Sequence, residues 1–126
     1  MKKVFNYKIE RAEDISDKLG EYNNELREIF KEKIFKLNYE TTSKLRECFA
    51  SPSMSIKDSD ECVVKAREKL EKYYIDVESI YNTNWLTLRS CVEKCDREDS
   101  NRLSTCFNTS ASKIFTELQD YHKSIN

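Results

Sequence analysis

One glycine, Gly20, and one proline, Pro52, are all that the 126 residues hold of the two strongest backbone breakers. All-β and α/β folds need many tight turns built on those types, and this chain cannot supply them. Long apolar runs are missing too. No stretch approaches the ~18 to 20 consecutive apolar residues that span a bilayer, so a transmembrane helix is not expected and any membrane association is peripheral. Neither charge sign dominates: 22 basic and 23 acidic residues are interspersed. That leaves no basic face to neutralise a row of phosphates, and nucleic acid is not an expected partner. The segment Met1 to Tyr7 lacks the apolar core of a secretory signal. Glu10, Glu13 and Asp14 are out of keeping with an Arg-rich, acid-poor transit peptide.

What the chain has is charge and helical periodicity. Charged residues are 36 % and apolar residues 38 % of the whole, against roughly 25 % charged in an ordinary soluble domain, so any core must be a narrow seam. Thin seams suit helical hairpins. From Tyr22, the positions Leu26, Ile29, Phe30, Ile34, Leu37, Leu45 and Phe49 recur at steps of three and four, which predicts a first helix over about 21–49. Residues 1–20 have weaker periodicity, and with Gly20 as a possible stop they read as a loose N-terminal arm, partly helical at most. Ser51, Pro52 and Ser53 break the first helix, and Asp58 to Asp60 offer an N-cap for a second over about 60–98. Its seam runs from Val63 through Ala66, Leu70, Tyr73, Val77, Ile80, Asn84 and Leu88 to Cys91 and Cys95. Asn84 is the strongly polar member, a candidate for setting register. Asp99 to Asn101 end this helix and cap a third, over about 101–124, with a stripe of Leu103, Phe107, Ala111, Ile114, Leu118, Tyr121 and Ile125. The expected fold is all-α: one helical domain over 21–126, an up-down-up three-helix bundle made of two hairpins that share the middle helix.

Five cysteines bear on how such a thin bundle is held. Cys48 and Cys62 flank the first break, and Cys95 and Cys106 flank the second. Cys62 and Cys91 lie 29 positions apart, only about 20° past eight whole helical turns, so both hairpins would be stapled from one side of the middle helix. Across the second hairpin Cys91 would face Ser110. That spacing predicts disulfides Cys48–Cys62 and Cys95–Cys106, with Cys91 as the free thiol, in loops where each bridge contributes roughly 3 kcal/mol. Bridges of this kind belong to oxidising compartments.

The cysteine pattern resembles that of the mitochondrial proteins grouped as family with sequence similarity 136, which carry four C-x3-C motifs, two per helical hairpin. The resemblance covers about Ser43 to Tyr121. Its first motif falls on Lys44 and Cys48, the second on Cys62 and Ala66, the third on Cys91 and Cys95, and the fourth on Cys106 and Ser110. In such hairpins the inner cysteines pair with each other and the outer ones likewise. Lys44 and Ala66 would thus remove one complete outer bridge, while Ser110 would deprive Cys91 of its partner. The small Tim chaperones, with one twin C-x3-C hairpin, share this logic. Either resemblance implies oxidative folding in the mitochondrial intermembrane space without a cleaved presequence.

Catalytic chemistry is hard to assemble from what remains. Cys91, Cys95 and Cys106 could be read as zinc ligands, but the single histidine, His122, falls sixteen residues beyond Cys106 on the third helix and reads as a surface residue. Cys91-x3-Cys95 is not the C-x-x-C of a thioredoxin-type site. Acidic residues such as Glu68 and Glu71 alternate with lysines as on a solvated helix face. Tyr74, Tyr81, Trp85 and Phe115 fall beside or off the seams and are candidate anchors for a protein partner. These readings lead to a non-enzymatic accessory subunit of a mitochondrial inner-membrane complex, most naturally of the respiratory chain, facing the intermembrane space. Neither cofactor, metal nor small-molecule substrate is expected. The alternative is a small-Tim-like chaperone for apolar precursors.

Overall fold

In the computed structural model, which describes residues 3–125, three long helices follow a short 3-10 turn at Ala12–Asp14: α1 (Ile15–Cys48), α2 (Ile56–Glu93) and α3 (Ser100–Ser124). The fold is all-α, as the scarcity of breakers requires. Most seam positions are where periodicity places them, for Tyr22, Leu26, Leu37, Ala66, Tyr73, Asn84, Leu88, Leu103, Phe107 and Leu118 are all buried, but Ile29 is exposed, and so is Phe49, which falls past the end of α1. Contacts divide the chain into two compact units. One takes in the chain up to Ile29 and again from Glu78; the other is Phe30–Val77.

The first unit holds the start of α1, the end of α2 and all of α3. The Cys91–Cys106 bridge and the bond from Asn84 Nδ2 to Glu117 Oε2 (2.8 Å) run α2 antiparallel to α3. Glu13 against Arg97, and the Tyr22 hydroxyl donating to the Ala111 carbonyl (2.6 Å), run α1 parallel to α3. This is the up-down-up order. Asn84 also donates to the Ile80 carbonyl (2.8 Å), while its Oδ1 is buried without a partner among the described residues. A buried amide that makes its cross-helix bond in one alignment only fixes register at the cost of some stability, as a polar seam residue does in coiled coils.

The N-terminal arm is not loose. Met1 and Lys2 fall outside the described residues, but Phe5 and Ile9 are 4 % and 0 % exposed. The arm runs extended and antiparallel to α3, where Ser100, Ser104 and Asn108, one turn apart, take the place of a neighbouring strand. Asn108 Oδ1 accepts from the Tyr7 amide and its Nδ2 donates to the Tyr7 carbonyl, both at 2.8 Å. Ser104 accepts from the Ile9 amide (2.8 Å), and Ser100 donates to the Ile9 carbonyl (2.6 Å). Main-chain groups that must be buried are thereby satisfied. Side chains alternate along an extended segment, and Phe5 sends its ring edge-on to Tyr22 and Phe115 at 5.2 and 5.7 Å between centroids. Tyr7 lies 5.3 Å from Phe107 and donates its hydroxyl to Glu25 Oε2 (2.6 Å). Lys3 closes the clamp on the other Glu25 oxygen at 2.7 Å. The Lys3 ammonium first, and the Tyr7 hydroxyl second, hold the Glu25 carboxyl below the ordinary carboxylate range. The clamp therefore contributes above that range and weakens as pH falls through the lowered value.

Helix α1 begins at Ile15, six residues before the expected start. Gly20 does not stop it, since a lone glycine in a helix interior only weakens it. At the other boundary α2 begins at Ile56, not near residue 60, because Ser55 and not the Asp58 cluster caps it: Ser55 Oγ accepts from the Asp58 amide at 3.1 Å.

The second unit, Phe30–Val77, is an antiparallel two-helix hairpin, with Cys48 bonded to Cys62 at its closed end and Lys69 paired with Glu40 (3.4 Å) further down. Its buried set is small: Leu37, Thr41, Cys48, Ala66 and Tyr73. Burial first, and the neighbouring Tyr74 second, push the Tyr73 phenol up to about 12.

Two substitutions test this description. A methyl group added at Gly20 meets nothing within 4 Å, so Gly20→Ala should stabilise the protein by up to about 1 kcal/mol, read as a rise of about 3 °C in the melting temperature. Asn108→Ala leaves the Tyr7 amide and carbonyl without their partner; a loss of about 1 to 3 kcal/mol is expected in denaturant titration, with Tyr7 and Phe5 fluorescence and NMR shifts moving together.

Candidate partner interface and cysteine sites

Both staples form between helix ends. Cys48 and Cys62 are bonded with their Cα atoms 5.5 Å apart, as the spacing predicts. The second staple corrects the expectation. Cys91, not Cys95, is bonded to Cys106, with Cα atoms 5.8 Å apart, and Cys95 is the free cysteine. The reason is local. The expected pairing places Cys95 on a helix running to about residue 98, whereas α2 ends at Glu93. Its last turn tightens through i to i+3 bonds from Lys94 to Cys91 and from Cys95 to Val92. Asp96 then accepts from the Glu98 amide and starts a turn. Asp99 caps α3 by accepting from the Arg102 amide. Cys91 therefore occupies the final helical turn that faces Cys106, and Cys95 lies beyond it with its thiol donating to the Cys91 carbonyl (3.2 Å). Ser110, expected opposite Cys91, is buried in α3.

All three sulfurs line one open groove of about 790 Å³, together with Leu86, Ser90, Lys94, Arg102 and Thr105. The groove is mostly apolar and is bordered by two cations, Lys94 and Arg102. Two of its sulfurs are consumed in a disulfide and so offer no thiolate to a metal. His122, expected at the surface, is 4 % exposed. Its Nδ1 lies 2.6 Å from the Leu118 carbonyl, an acceptor only, which makes Nδ1 the protonated nitrogen of the ring. Among the described residues, no three His, Cys, Asp or Glu side chains are grouped as metal ligands.

The four candidate anchors part company. Tyr74 and Trp85 are 51 % and 43 % exposed. Tyr81 is half-buried. Phe115 is 2 % exposed and is removed from any interface by the N-terminal arm, whose Phe5 covers it. Sequence reasoning missed a further group of exposed residues. Phe35, Tyr39, Val64 and Ile75 are between 61 % and 75 % exposed. All four fall in the hairpin Phe30–Val77, as does Tyr74. Their signal was present as apolar residues out of phase with the seam: Phe35 and Tyr39 are one turn apart on α1, and Val64 and Ile75 lie eleven positions apart on α2, within about 20° of one another around its axis.

Among the described residues, no helix is long and apolar enough to cross a membrane. Comparison of the chain with protein-family models, with curated proteins and with solved structures finds no match.

The hairpin's small buried set makes its staple the dominant local restraint. Replacing both Cys48 and Cys62 by serine should cost about 3 kcal/mol and lower the denaturant midpoint, the size expected for opening a loop of about this length. The same change made by serine at Cys95 should leave the midpoint within ~0.5 kcal/mol of the parent.

Proposed function

We propose that the protein is a non-catalytic structural subunit of a larger protein assembly, docked through the two-helix hairpin Phe30–Val77. One observation carries this reading. Among the described residues, seven of the eleven large apolar side chains that are exposed lie in that hairpin. Two packed helices have one shared seam and leave the rest of each helix to solvent; a concentration of aromatic and aliphatic side chains there is what a covering partner chain would bury. Phe35, Tyr39, Tyr74 and Ile75 are the anchors of the docking surface. Aromatic anchors in the middle of a contact commonly dominate its binding energy.

The compartment follows from the disulfides, which form and persist where the medium is oxidising. The resemblance of the cysteine pattern to the four-motif mitochondrial family narrows this to the intermembrane space, with the protein peripheral to the inner membrane and its partners subunits of a complex there, a respiratory-chain complex being the natural one. A chaperone role would use the same exposed side chains transiently, on many apolar clients.

Phe35→Glu combined with Ile75→Glu should leave helix content and melting temperature close to the parent, since both side chains are exposed, and should abolish comigration of the protein with a high-mass assembly on native gels of gently solubilised mitochondria. If the parent runs only as a free monomer, the subunit reading fails. If it crosslinks to many transient clients instead of one stoichiometric set, the chaperone reading replaces it.

A further inference from the structure

We propose that Cys91, Cys95 and Cys106 form a thiol–disulfide exchange centre, in which the bridge between α2 and α3 passes between two partners on the α2 side while Cys106 stays bonded throughout. Three observations combine. The free Cys95 Sγ lies 3.8 Å from Cys106 Sγ, which is contact distance for two sulfurs. Cys106 is 5 % exposed and held in the body of α3, whereas Cys91 and Cys95 are both half-buried at the far edge of the pair. The groove of about 790 Å³ opens onto all three, so solvent and small reagents reach the cluster.

Exchange between a thiolate and a disulfide proceeds by attack on one sulfur with the other as leaving group. Here the attacking group and the disulfide are already in contact, which replaces a bimolecular encounter by an intramolecular step. Cys95 gives its proton to solvent and attacks Cys106 Sγ. A Cys95–Cys106 bond forms as the Cys91–Cys106 bond breaks, and the electron pair leaves on Cys91 Sγ, which takes up a proton from solvent. One disulfide and one thiol are present before and after, so neither oxidant nor reductant is consumed. Cys95 lies past the end of α2, in the connection that leads to α3, where its shift toward Cys106 involves only the Cys95 thiol's bond to the Cys91 carbonyl and the single i to i+3 bond from its amide to Val92, not the body of the helix. The outcome is a hairpin that remains stapled while its reactive thiol alternates between the last turn of α2 and the turn that follows. A reagent captured at either position leaves the helices joined.

The test is alkylation of the native, unreduced protein with N-ethylmaleimide, followed by proteolysis and mapping of the modified peptides. A single maleimide per molecule is expected. At high reagent concentration it should sit on Cys95; at low concentration, where exchange outruns capture, at least about one molecule in ten should carry it on Cys91 instead. Maleimide on Cys95 alone at every concentration would overturn the proposal, and so would maleimide on Cys106, which would mean that attack falls on Cys91 and releases α3. Single variants give an independent reading. Oxidised Cys91→Ser should take up no maleimide, having closed Cys95 onto Cys106, and oxidised Cys95→Ser should take up none because the original bridge persists. Two maleimides on folded Cys91→Ser would show that Cys95 cannot bond to Cys106, and the exchange centre would be refuted.

Discussion

With apolar residues at 38 % of the chain, there is enough for one packed three-helix core and not for two, and the structure is organised by where that core is placed. Helix α3 supplies nine buried residues over its 25 positions. The segments of α1 and α2 that share a unit with it find a third surface to pack against. The hairpin Phe30–Val77 has no third helix, and its buried residues are few. Long helices of near-uniform composition thus have unequal environments along their length, and a covalent bridge at the closed end of the hairpin offsets what packing does not provide.

In the three-helix unit the core is completed by an extended strap. The arm brings Phe5 and Ile9 against the aromatic cluster of Tyr22, Phe107 and Phe115. It is tolerated there because a row of short polar side chains on α3 satisfies its backbone groups. Desolvation without those partners would cost more than the apolar burial returns. Ser100, Ser104 and Asn108 break the pattern of a solvated helix face only in being short. Longer side chains at these positions would hold the arm away from α3. The Tyr22 hydroxyl, buried and donating to the Ala111 carbonyl, sits at the meeting point of arm, α1 and α3, and burial raises its pKa well above the ordinary range.

Much of this was legible in the sequence, and the exceptions have definite causes. The helical class, three helices, the seam of α2 from Val63 to Leu88 and the bridge Cys48–Cys62 follow from periodicity and from the lack of breakers. The arm was not legible because an extended segment that pairs with side chains instead of a strand leaves only Phe5, Tyr7 and Ile9 as a short alternation. The second bridge differs from the expected one because it depends on two residues of helix length: with α2 ending at Glu93, Cys95 leaves the helical face that spacing assigns to it. Phe115 falls off the seam by periodicity, and nothing local in the sequence shows that it is covered. Its cover comes from Phe5, more than a hundred positions away in the chain. The exposed apolar residues of the hairpin, by contrast, are legible as positions off the seam, Phe35 and Tyr39 on α1 and Val64 and Ile75 on α2.

The central claim is that the hairpin Phe30–Val77 is incomplete in the isolated chain while the three-helix unit is complete. Native-state hydrogen exchange on the free, oxidised protein, read segment by segment, tests it most directly. Amides of α3 and of the α1 segment before residue 30 should exchange only through global unfolding. Those of 30–48 and 56–77 should exchange through a smaller opening, with protection roughly ten- to a hundredfold lower, equivalent to about 1.4 to 2.7 kcal/mol. Equal protection across all three helices would contradict the account, because it would show that the hairpin needs no covering partner.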